Sequence, residues 1–134
     1  MTKVPSHPRN PNPAPHYPGR APIDSYGNGG FRFAGMSHRG SILCLPSGVH
    51  AWAPLTMNEV TPESLAPVLA ERGEASLLLL GTGARQIFPT RELRRSLEAA
   101  GIALEAMATG AAARTYNVLL AEGRQVGAAL LAVD

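Results

Sequence analysis

Leu77-Leu78-Leu79-Leu80-Gly81-Thr82-Gly83 and Ala103-Leu104-Glu105-Ala106-Met107-Ala108-Thr109-Gly110 share one plan: an apolar run that stops at a break of Thr and Gly. A short apolar run bounded by turn residues is the pattern of a buried strand. Between the two runs, Thr90 precedes Leu93, Leu97 and Ala100 at helical spacing, with Arg94 and Glu98 on the wet side. Gly101 follows as the left-handed residue that ends the helix. Strand, helix and strand in this order form a βαβ unit with a right-handed crossover. Parallel strands of such a unit place ligands, when they bind any, at their carboxyl ends.

The pattern continues outward on both sides. Thr109 is placed to cap a helix from about Gly110 to Ala121, Gly123 ends it, and 126–133 supplies a final strand. That helix is apolar nearly all round, through Ala111, Ala112, Ala113, Tyr116, Val118, Leu119 and Leu120. Either the sheet plus an N-terminal β layer or a second subunit is expected to cover it. Upstream, Thr61-Pro62 opens a helix carrying Leu65, Val68 and Leu69. Pro67 inside it removes a backbone donor, so a short, kinked or partly 3₁₀ segment is expected. Residues 23–52 alternate strand-like runs with Gly-rich turns and predict an antiparallel meander.

Residues 1–22 differ from the rest. They hold seven of the twelve prolines and few apolar residues, so a disordered tail is expected there, followed by a single domain over 23–134. They also carry Lys3, Arg9 and Arg20 and no acid, a balance of +3. Residues 23–134 hold nine basic and ten acidic groups, a balance of −1. The domain is therefore near neutral, and it lacks the concentrated cationic face that nucleic acid requires. No apolar stretch approaches the roughly 20 residues of a membrane span, and residues 1–20 contain no apolar core of a secretion signal. The lone Cys44 excludes an internal disulfide. A cytoplasmic protein without direct membrane insertion is expected.

Gly81-Thr82-Gly83 lacks the Lys-Ser/Thr of a phosphate loop and the third glycine of a dinucleotide fingerprint. Six residues separate it from the next helix. What the two corners do offer is backbone N–H groups, a helix N-terminus and two cations, Arg85 and Arg114. His38 and His50 flank one hairpin with no third ligand at metal-binding spacing, so no metal is expected. Ser41 and Ser47 lack a nucleophile-elbow context, and the carboxylates are scattered. No catalytic residue, acid–base pair or cofactor is expected.

The segment 78–86 together with Thr109-Gly110-Ala111-Ala112-Ala113-Arg114-Thr115-Tyr116-Asn117 and its continuation to Arg124 closely resembles a known family. It is a family of small Mth-type α/β domains of unknown function that includes mitochondrial respiratory complex I assembly factor 3 and the adipogenesis-associated Mth-type domain protein. The resemblance covers roughly residues 23–132, and Gly-Thr-Gly-x-x-Gln with Thr-Tyr-Asn is its most specific part. It implies a three-layer α/β fold. A central mixed sheet of about five strands, the last antiparallel to the rest, is covered by helices and a small N-terminal antiparallel β layer. It implies no established enzymatic activity, and its mitochondrial members act by binding proteins during respiratory complex assembly.

The expected function is accordingly a non-enzymatic, assembly-type binding domain acting through protein–protein contact. Its partners would include membrane-protein assembly machinery, and a homo-oligomer is compatible. The alternative is a small-anion or small-molecule binder or enzyme using the two corners. Its candidate residues are Gly81, Thr82, Gly83, Arg85 and Gln86 on the first corner, and Thr109, Gly110, Arg114 and Asn117 on the second.

Overall fold

The computed structural model describes residues 15–134. The βαβ unit forms as its pattern requires. Strand β7 (Leu77–Gly81) and strand β8 (Ala103–Met107) pair in parallel, joined by helix α2 (Arg91–Ala99). Thr90 Oγ1 accepts the Leu93 amide at 3.1 Å, and Gly101 takes φ 81° at the other end. Helix α3 (Thr109–Ala121) and strand β9 (Val126–Leu130) follow.

The main sheet has six strands rather than five, in the order β1-β6-β5-β9-β7-β8, where β1 is Tyr17–Pro18, β5 is Ser41–Leu45 and β6 is Gly48–Trp52. It is mixed, as expected, but β9 is not antiparallel to the rest. It runs parallel to β7 and antiparallel only to β5. The reason is local: β8, α3 and β9 form a second βαβ unit, and a strand that follows a crossover helix runs parallel. The last strand thus sits in the middle of the sheet.

The N-terminal half differs from a single meander. Strands β2 (Ile23–Gly27), β3 (Gly30–Phe33) and β4 (Met36–Arg39) form a separate three-stranded antiparallel sheet. Gly40, at φ 98°, breaks the chain between β4 and β5 and redirects it into the main sheet. The tail expected over residues 1–22 also changes. Residues 1–14 lie outside the described residues. Residues 15–22 are fastened: Tyr17 and Pro18 pair with Val49 and Gly48, the His16 amide donates to the Val49 carbonyl at 2.8 Å, and Ala21 is buried.

The central sheet buries both faces, and the strands alternate between two cores. On one face Ile42, Cys44, Leu79, Ala128 and Leu130 meet Phe31 and Phe33 of the small sheet and Ala112, Ala113 and Tyr116 of α3. On the other, Leu43, Leu45, Leu78, Leu80 and Ala129 meet Leu93 and Leu97 of α2 and Leu65 and Val68 beside and within α1 (Ala66–Ala70). This is the three-layer arrangement. Around Pro67 the chain divides into 3₁₀ turns at Glu63–Leu65 and Arg72–Glu74 flanking the five-residue α1, the short form that proline demands. The sheet and the N-terminal β layer bury Ala112, Ala113 and Tyr116 of α3, while Val118 on its far side is 56% exposed. Asn117 of α3 also grips the small sheet, its amide both accepting from Ile23 N and donating to Ile23 O at 2.8 Å.

Candidate functional site

The two corners do meet. Gly81 lies opposite Met107 at the carboxyl ends of β7 and β8, so the loops that follow are neighbours. A Cβ at Gly81 would stand 2.9 Å from Leu130 Cδ2 and 3.0 Å from both Thr109 Cα and Oγ1. The close approach requires glycine here. Gly83, at φ 107°, turns the chain away.

The threonines join the loops to each other. Thr82 Oγ1 donates to the Arg85 carbonyl at 2.5 Å, accepts the Ile87 amide at 3.0 Å and lies 3.2 Å from the Met107 carbonyl. Thr109 Oγ1 donates to the Leu131 carbonyl at 2.7 Å and accepts the Gly83 amide at 3.0 Å. Both residues are buried. Thr109 is therefore not the cap of α3. Its backbone is already helical, Ala108 occupies the cap position, and the hydroxyl crosses to β9 and the first corner. Gln86 Nε2 donates to the Ala106 carbonyl at 2.8 Å, tying the first loop to β8.

The second corner is covered as well. A Cβ at Gly110 would collide with the Tyr26 hydroxyl, so the small sheet lies over the first turn of α3. Asn117 is committed to Ile23. Of the nine candidate residues, seven are thus engaged in holding the fold. Arg85 and Arg114 remain as exposed side chains.

Beside this junction opens a cleft of about 740 Å³. One wall is Thr82, Gly83, Ala84 and Ile87; another is Leu55, Thr56 and Met57; Ala132, Val133 and Asp134 form the third, and Gly29, Arg39 and Gly40 close it. Its rim is unusually apolar for a surface. Leu55 is 58% exposed and Ile87 42%, and the adjoining Phe88 is 77% exposed. The sequence holds little sign of this. Ile87 and Phe88 sit in an aperiodic loop, and Leu55 is a lone apolar residue after Pro54. Only their common failure to fit a helical or strand pattern sets them apart.

A second polar group lies at the opposite end of β6. Glu71 accepts from Ser47 twice, at 2.9 Å from the amide and 2.6 Å from the hydroxyl. Ser47 Oγ is also 2.9 Å from His50 Nε2. Because the serine proton goes to Glu71, the imidazole must supply the hydrogen in the other bond, a tautomer assigned from the network. His50 is therefore no base toward Ser47, and the three residues form a latch between the β5–β6 turn and the end of α1. Burial holds the His50 pKa below its ordinary value, with Glu71 pulling the other way. Cys44 is fully buried, and burial pushes its thiol up to about 12, which leaves it unreactive at neutral pH. Among the described residues no group of three or more metal-ligating side chains converges.

The model of a family described as "Protein of unknown function (DUF498/DUF598)" matches residues 23–131. The chain belongs to this family. Among its relatives, an uncharacterized protein of Rhodobacter capsulatus is 46% identical over 117 residues, 87% of this chain and 89% of that protein. The bovine NADH dehydrogenase [ubiquinone] 1 alpha subcomplex assembly factor 3 is 33% identical over 109 residues, 81% of this chain. This family member spans only 59% of the bovine protein's length. The crystal structure of an outer membrane protein from Bartonella henselae superposes with a TM-score of 0.86 at 52% identity, covering 89% of this chain and all of that one. In the family domain described here, no helix among the described residues is long and apolar enough to cross a membrane.

Proposed function

We propose that this domain is a cytoplasmic, non-enzymatic assembly protein that engages a protein partner through the apolar cleft during the building of a respiratory NADH dehydrogenase. The observation that carries the reading is the exposure of Leu55 and Ile87 in that cleft, with the exposed Phe88 next to Ile87 in the chain. Large exposed apolar side chains gathered at a concave site, with Arg39 at its edge, have the composition of a protein-contact centre. The process is suggested by the relatives that bear the name assembly factor 3. The chemistry of the neighbouring corner agrees, because its hydroxyls and Gln86 are spent on backbone partners and leave no free acid–base set.

The test is genetic and structural together. The gene is deleted in the native host and assembled NADH dehydrogenase is measured in membranes by native electrophoresis. Assembly should fall, recover with the wild-type chain, and stay low with the Ile87→Asp/Phe88→Asp variant. Unchanged assembly after deletion, or full recovery with the variant, overturns the proposal. A cleft that instead receives a second copy of this chain would reveal itself as a dimer by light scattering.

A small-anion site at the corners would have to operate through Arg85 and Arg114, the two candidates left exposed. Arg114→Ala should then abolish any thermal stabilisation by phosphate that Arg32→Ala leaves intact.

A further inference from the structure

The outer face of the small sheet carries a groove that shares only Arg39 with the apolar cleft. Its volume is about 400 Å³. The register of the three strands sets Ser25, Arg32 and Ser37 in one row across it, since Arg32 pairs with both serines. Arg39 stands in the next row, opposite Gly30. The lining includes two arginines and no carboxylate.

Two further facts separate this groove from an ordinary solvated face. First, neither Arg32 nor Arg39 has a carboxylate partner among the described residues, and residues 1–14 contain no acid. Second, Arg32 is already aimed. Its Nη1 donates to Ser37 Oγ at 2.7 Å, which holds the fork in place and leaves the serine's own hydrogen free to point into the groove. Pre-positioning of this kind lowers the entropy cost of gripping a ligand.

We propose that this groove binds the phosphate group of a small soluble phosphomonoester. The donor inventory selects phosphate over carboxylate. Two guanidiniums match a dianion in charge. Their remaining N–H groups, with the hydroxyls of Ser25 and Ser37, supply more donors than two carboxylate oxygens can accept. The volume leaves room for the organic body beyond the phosphate.

The experiment is a titration of ¹⁵N-labelled full-length protein with inorganic phosphate and with glycerol 3-phosphate at constant ionic strength, followed by amide shifts. Saturable shifts centred on Ser25, Arg32, Ser37 and Arg39 are expected, with acetate producing little. Arg32→Ala and Arg39→Ala should each weaken binding about tenfold, the loss expected for one charged hydrogen-bonding group. Because both side chains are exposed, the rest of each spectrum should be unchanged. Non-saturating shifts, an equal response to acetate, or undiminished binding by the double variant overturns the proposal. So does binding confined to vesicles carrying phosphatidic acid with none to the free esters.

Discussion

The corner at Thr82 and Thr109 and the cleft beside it are built from adjacent residues, yet they divide polarity in opposite ways. In the corner the two threonine hydroxyls and the Gln86 and Asn117 amides are satisfied by backbone, and Arg85 and Arg114 stay exposed. In the cleft the bulky apolar side chains of Leu55 and Ile87 are turned outward to solvent. The corner has the more suggestive motif and the smaller chemical capacity. A threonine-glycine break at a strand end is informative about how tightly the chain must turn. It says little about a ligand until the hydroxyls are followed to their partners.

This contrast is most directly broken by substitution. Thr109→Val removes one buried hydroxyl and strands both the Leu131 carbonyl and the Gly83 amide, so a loss of about 3 kcal/mol is expected. Gly81→Ala forces a Cβ against Thr109 and Leu130 and should cost about 2 kcal/mol. Urea denaturation of both variants measures this. Values within half a kcal/mol of wild type would show the corner to be slack and would reopen it as a binding site.

A smaller effect is expected from acid. Burial lowers the folded-state pKa of His50, and burial together with neighbouring His16 lowers that of His38, both below the ordinary 6.5. The unfolded chain therefore binds more protons than the folded one once the pH drops beneath that value. Stability should be intact above about pH 6.5 and decline as the pH falls from there through the lower folded-state values. Urea midpoints at pH 7.5 and 5.5 read this directly. His50→Gln should flatten the decline, and a midpoint that rises toward acid would refute the assignment.

The smallest stability effect belongs to the cleft. Ile87→Asp and Phe88→Asp should change the unfolding free energy by less than about 0.5 kcal/mol, as for other exposed positions. Their effect on complex assembly should nevertheless be large. If they unfold the domain, the cleft is part of the core and the comparison fails.

Much of the framework was legible in residue order. Leu77–Gly81, Thr90, the stripe of Leu93 and Leu97, Gly101 and Ala103–Met107 form a locally consistent set, because period, cap and stop agree. Pro67 foretold the broken helix around it. Other features depended on partners remote in sequence. Tyr17-Pro18 has no strand signal of its own and is ordered because β6 offers it an edge. The meander divides in two because β5 finds β9, some 85 residues later, as a second neighbour. Thr109 looks like a cap by spacing, but the closeness of Leu131 makes a different bond available.

The sequence alone determined the α/β class, the βαβ unit and the near-neutral domain, because these follow from periodicity, turn chemistry and composition acting over short stretches, while the resemblance of residues 78–86 and 109–124 pointed to the family. Only the tertiary structure decided the direction and central place of β9, the spending of the corner threonines, and the gathering of Leu55 with Ile87 and of Ser25 with Arg32 and Ser37. These depend on which distant segments pack together, and no local propensity encodes a contact between residues whose proximity exists only after folding.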